Sequence, residues 1–70
     1  MTNSTISIVK YNIKCFREKI NLTQDQLSEI AGISSDYLSE IERGKKVPSL
    51  KRLFRIADAL GVPAYKLLKP

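Results

Sequence analysis

The chain has 70 residues, 43% of them hydrophobic, and a net charge of +5. That length limits it to one domain near the lower size for a self-supporting core, and the hydrophobic content excludes a disordered chain. A single cysteine and no histidine exclude an intrachain disulfide and a zinc site built on Cys and His.

No apolar run reaches membrane-spanning length. The start, Met1-Thr2-Asn3-Ser4-Thr5, lacks the basic residues that open a signal peptide. The expected location is cytoplasmic. Residues 1–5 are expected as a flexible tail and residues 6–70 as one all-α domain.

In the first segment Val9, Ile13, Phe16 and Ile20 fall at helical spacing and define one apolar face. Lys10, Lys14 and Arg17 project from a neighbouring face, and Asn21 is the expected stop. A second row, Ile8, Tyr11 and Cys15, is not required by that stripe. Thr23-Gln24-Asp25-Gln26 fits a capping box, with Leu22 and Leu27 as a hydrophobic staple. Leu27, Ile30 and Ala31 make the apolar side of a short second helix, and Gly32 ends it.

Ser34 is the expected N-cap of a third helix, with Ile33 and Leu38 as a second staple. Leu38 and Ile41 face inward and Gly44 terminates. Lys45-Lys46-Val47-Pro48 reads as a basic loop. Ser49 caps a fourth helix carrying the stripe Leu50, Leu53, Ile56, Ala57 and Leu60, closed by Gly61. Pro63 then stands at a first-turn position, where its missing amide costs nothing, and starts a last turn through Leu67 and Leu68.

Charge is distributed unevenly along these elements. The stretch from Thr23 to Glu42 carries Asp25, Glu29, Asp36, Glu40 and Glu42 and no Lys or Arg. Every basic residue flanks it. Two short helices joined by a tight glycine-containing turn form a helix-turn-helix, here residues 24–43. Leu27, Ser28, Ala31, Gly32, Ile33, Leu38 and Ile41 supply the small and apolar groups that such a crossing needs. The arrangement leaves the N-terminal residues of the third helix free to enter a major groove.

The run Leu22-Thr23-Gln24, Leu27, Ala31-Gly32-Ile33-Ser34, Tyr37-Leu38-Ser39-Glu40-Ile41-Glu42-Arg43-Gly44-Lys45, Pro48-Ser49-Leu50, Leu53, Ile56-Ala57 and Leu60-Gly61-Val62 resembles the Cro/CI-type (XRE) family of helix-turn-helix regulators. It extends from about Phe16 to Leu68 and includes loops as well as helices, which makes it far more specific than a bare helix-turn-helix pattern. The resemblance implies a compact five-helix, lambda-repressor-like domain that regulates transcription by binding double-stranded DNA. It implies a phosphate contact from Gln24, a groove-facing row of Ser34, Ser35, Asp36, Ser39 and Glu40, and a backbone grip by Arg43, Lys45 and Lys46. Ser49 and Lys51, beside the basic loop, join the expected phosphate ligands. It also implies an ion pair between Arg17 and Glu42; the alternative is a solvated Glu42 near Lys45 and Lys46.

Base edges are usually read by Arg or Lys on guanine and by Asn or Gln on adenine. The third helix offers none of these at its exposed start. One reading has Asp36 or Glu40 accept from cytosine N4; the other leaves Asp36 only favouring the helix dipole. The sequence keeps both open. Arg52 and Arg55 read as the solvated face of the fourth helix.

One such helix makes few base contacts, so a homodimer on a two-fold site is expected. Phe54, Pro63, Tyr65 and Leu68 are the expected interface. Cys15 reads as a small packing residue. No catalytic residue, cofactor or metal is expected, because no His, no Gly-rich phosphate loop and no acid–base pair is present. The competing class is a protein-interaction module of the antitoxin kind, suggested by the acidic second and third helices.

Overall fold

A computed structural model describes residues 3–70, with side chains from Thr5 onward. The described residues form five helices and no strand: α1 (Asn3–Lys19), α2 (Gln24–Ala31), α3 (Ser35–Glu42), α4 (Leu50–Leu60) and α5 (Tyr65–Leu68). Of the expected tail, Met1 and Thr2 lie outside the described residues, and residues 3–5 belong to α1. No Gly or Pro interrupts the run from Asn3 to Lys19, so extending the helix costs only the small propensity deficits of Asn, Ser and Thr.

The caps follow the sequence. The Gln26 amide donates to Thr23 Oγ1 at 3.1 Å and the Thr23 amide donates to Gln26 Oε1 at 2.9 Å, a complete capping box. Ser34 and Ser49 accept from the Tyr37 and Arg52 amides in the same way. Each of the first four helices ends in a paired closure. After α1, for example, the amides of Asn21 and Leu22 donate to the carbonyls of Glu18 and Arg17, with Asn21 at φ 60°.

Gly32 closes α2 the same way at φ 71°, its amide and that of Ile33 donating to Glu29 and Ser28. A Cβ there would meet no atom within 4 Å, so any cost of a side chain comes from the left-handed backbone alone. Gly32→Ala is expected to lower unfolding free energy by about 1–2 kcal/mol. Chemical denaturation reads this directly, and an unchanged midpoint would show that the turn relaxes into another conformation.

The core joins Val9 and Ile13 of α1, Leu27 and Ala31 of α2, Leu38 and Ile41 of α3, Leu53, Ile56, Ala57 and Leu60 of α4, and Leu67 of α5. Helix α1 lies against α3, α4 and α5, and α2 lies against α3 and α4. Asn12 of α1 donates from Nδ2 to the carbonyls of Leu67 and Lys69 at 3.0 and 2.7 Å, which ties the last helix to the first.

Three apolar positions depart from their expected faces. Ile20 is exposed because α1 ends at Lys19, one residue before it. Ile30 is 59% exposed, and Ser28 takes the inward place on α2. Ser28 is small enough for the helix crossing, and its hydroxyl donates to the Asp25 carbonyl at 2.8 Å, so its burial leaves no polar group unpaired. Leu50 is exposed at the open end of α4, where it borders a groove instead of entering the core. Pro63 precedes α5 by two residues, and its carbonyl accepts the Lys66 amide.

Candidate nucleic-acid interface

The helix-turn-helix is α2, the turn at residues 32–34, and α3. Gly32 reverses the chain, Ile33 packs against the core, and the Ser34 hydroxyl starts α3. With Leu38 and Ile41 buried, the opposite side of α3 is open. Ser34, Ser35, Asp36 and Arg43 are exposed there, with Ser39 and Glu40 half-buried beside them. Asp36 and Ser39, expected to face the groove, and Arg43, expected to grip the backbone, recur at helical spacing and share this open side.

Behind that surface α3 is bolted to α1. Arg17 donates from Nε to Glu42 Oε2 at 2.8 Å and from a terminal nitrogen to Oε1 at 3.0 Å. The Glu42 side chain is only 3% exposed and that of Arg17 11%, so the alternative of a solvated Glu42 does not apply. Arg17 also donates to the Leu22 carbonyl at 2.7 Å, which reaches the closure between α1 and α2. The hydrogen bond to Glu42 raises the Arg17 guanidinium above its ordinary range, against an opposing effect of burial.

Gln24 joins this network. Its Nε2 donates to Glu42 Oε1 at 3.1 Å, so one side chain from each of α1, α2 and α3 meets at a single carboxylate. The expected phosphate contact from Gln24 therefore starts from a side chain already held in place. Nothing in the sequence pattern marked that third member.

The flanking cations divide into two groups. Arg43 and Lys45 are exposed; Arg43 Nε makes only a long 3.4 Å hydrogen bond to the Ser39 carbonyl. Lys46 forms an ion pair with Glu40 at 3.4 Å, which masks part of the Glu40 charge. Among the described residues no hydrogen bond or ion pair engages the Asp36 carboxylate. Ser49 uses its hydroxyl to cap α4, and Lys51 is exposed one turn-position further. Tyr37, unassigned from the sequence, contacts this loop: its hydroxyl accepts the Ser49 amide at 3.3 Å.

The expected interface residues Phe54, Pro63, Tyr65 and Leu68 are all exposed. Leu50, expected in the core stripe of α4, is exposed as well. With Leu68 it borders an apolar groove of about 260 Å3, lined also by Val9, Val47, Pro48 and Leu53. Cys15 is half-buried and free. No helix among the described residues is long and apolar enough to cross a membrane.

Comparison with known proteins gives a consistent result. The profile of a family described as "Helix-turn-helix" matches residues 13–67. The chain is 36% identical over 63 residues to an uncharacterised HTH-type transcriptional regulator of Sinorhizobium fredii, covering 90% of this chain and 82% of that protein. It is 46% identical over 54 residues to the immunity repressor protein of Bacillus phage phi105, covering 77% of this chain but 38% of the phage protein. Among solved structures, a hypothetical transcription factor from Neisseria superposes with a TM-score of 0.92 at 31% identity, over 100% of this chain and 82% of that one.

Proposed function

The chain belongs to the XRE-type helix-turn-helix family of DNA-binding transcriptional regulators, and on that premise we propose that it binds a two-fold DNA site sequence-specifically, as a homodimer, and represses transcription from it. The observation that carries this reading is the open face of α3, presented by a buried three-helix lock and flanked by Arg43, Lys45 and Lys46. Ser34, Ser35, Asp36, Ser39 and Glu40 face the base edges, and the flanking cations with Gln24, Ser49 and Lys51 hold the phosphates. Phosphate contacts fix register and orientation, while the α3 row supplies discrimination.

Asp36 is the favoured base reader. Glu40 is paired with Lys46, whereas no hydrogen bond or ion pair among the described residues engages the Asp36 carboxylate, which leaves it open to a cytosine N4 donor. A carboxylate near phosphates is repelled unless such a bond forms, so it penalises every other base at that step. The dimer is built from the exposed apolar surface of Leu50, Phe54, Pro63, Tyr65 and Leu68, which a second copy covers about a two-fold axis.

Selection of bound sites from random duplex tests the reading. Two inverted half-sites about one helical turn apart are expected, with one cytosine position that loses its preference in Asp36→Ala. Uniformly tighter binding by Asp36→Ala across all sites would remove the cytosine contact. Absence of any duplex binding at low salt would favour a protein-interaction module instead.

A further inference from the structure

Tyr37 stands at the junction of α3, the α3–α4 loop and the first turn of α4, and two cations share its ring. Lys46 Nζ lies 5.2 Å and Arg52 Cζ 5.1 Å from the ring centroid. Both distances fall within the range in which a ring quadrupole attracts a cation. The tyrosine hydroxyl meanwhile accepts the Ser49 amide, so the same residue fixes the loop backbone and both side chains. The ring itself packs against the hydrophobic core, which gives the two flexible cations a rigid base.

Within the protein the charge of these two cations is only partly neutralised. The shared ring keeps the two charges within about 10 Å of each other, comparable to the screening length at 0.1 M salt. Arg52 also sits in the first turn of α4, where a positive charge opposes the helix dipole and no acidic residue offsets it. Glu40 compensates Lys46 alone. A polyanion laid along the loop would be attracted by both cations at once.

The geometry points to Arg52 as a further phosphate ligand beside Lys46, and to Tyr37 as the positioning residue that holds both cations toward the DNA backbone. The inference rests on the DNA-binding reading above and adds a role for two residues outside it. Arg52 is therefore not simply part of the solvated face of α4, and Tyr37 acts through its neighbours.

The test is the salt dependence of binding to a generic fluorescent duplex between 50 and 200 mM salt, with the full chain, alongside thermal unfolding of each variant. Arg52→Gln is expected to reduce the slope of log affinity against log salt by ~0.9 and to weaken binding roughly eightfold at 0.1 M salt, with an unchanged melting temperature. Tyr37→Phe keeps the ring and is expected to retain the wild-type slope. Tyr37→Leu is expected to weaken binding roughly fivefold, and most of that loss should vanish in the Arg52→Gln, Lys46→Gln background. An unchanged slope in Arg52→Gln would overturn the ligand assignment; because Arg52 is exposed, that variant decides it even if Tyr37→Leu loses stability. An undiminished Tyr37→Leu effect in that background would overturn the positioning role. Failure of the wild type itself to bind duplex removes the DNA reading and this inference together, a result distinct from either of these.

Discussion

Glu42→Ala is expected to destabilise the domain by about 3–5 kcal/mol, because it strands the Arg17 guanidinium in a site built around a carboxylate. Glu42 is 3% exposed and accepts from Arg17 twice and from Gln24 once. Removing it leaves those donors without an acceptor, and the loss comprises their desolvation as well as the pair itself. Domains of this size have total stabilities on the order of 4–10 kcal/mol, so the variant should melt more than about 12 °C below the wild type. Glu42→Gln retains an acceptor and should fall between. The double replacement Arg17→Met, Glu42→Leu should recover much of the loss, since an apolar pair of similar volume removes the stranded charge. Calorimetry of the four proteins checks this. A Glu42→Ala melting temperature within a few degrees of the wild type would mean that α3 is held by apolar packing alone.

The second large effect concerns the grip. Replacing Arg43, Lys45 and Lys46 together by glutamine should leave the melting temperature nearly unchanged, because all three are exposed. Duplex affinity should fall by roughly two to three orders of magnitude at 0.1 M salt, with the salt slope reduced by up to ~2.7. A drop nearer ~2 is expected if Lys46 must first leave Glu40, and Glu40→Gln should then raise wild-type affinity. A triple variant that keeps the full slope would place the phosphate contacts elsewhere on the molecule.

Much of the architecture was legible in the residues because local signals determine helix ends. Thr23, Ser34 and Ser49 cap where their short oxygens suggest, and Asn21 adopts the left-handed backbone that ends α1. Which side of α3 is buried was legible too, since Leu38 and Ile41 define it by periodicity and leave Asp36 and Ser39 on the open side. The departures have a common cause. Ile20, Ile30 and Leu50 sit at helix ends or on the margin of a stripe, where hydropathy marks a residue as apolar without saying whether a neighbouring helix reaches it. Ser28, by contrast, is buried as its place in the small-residue set of the crossing implied, with its own helix supplying an acceptor.

The sequence by itself determined the five helices, their caps, the helix-turn-helix and the segregation of positive charge to its flanks. All of these depend on residues within a few positions of one another, where backbone geometry converts spacing directly into a face. Only the tertiary structure decided that Gln24 shares the Glu42 carboxylate with Arg17, that Lys46 is divided between Glu40 and Tyr37, and that Arg52 joins it on the same ring. These contacts join different helices or loops. Their partners are set by the angles at which the helices cross, and those angles follow from the packing of the whole core.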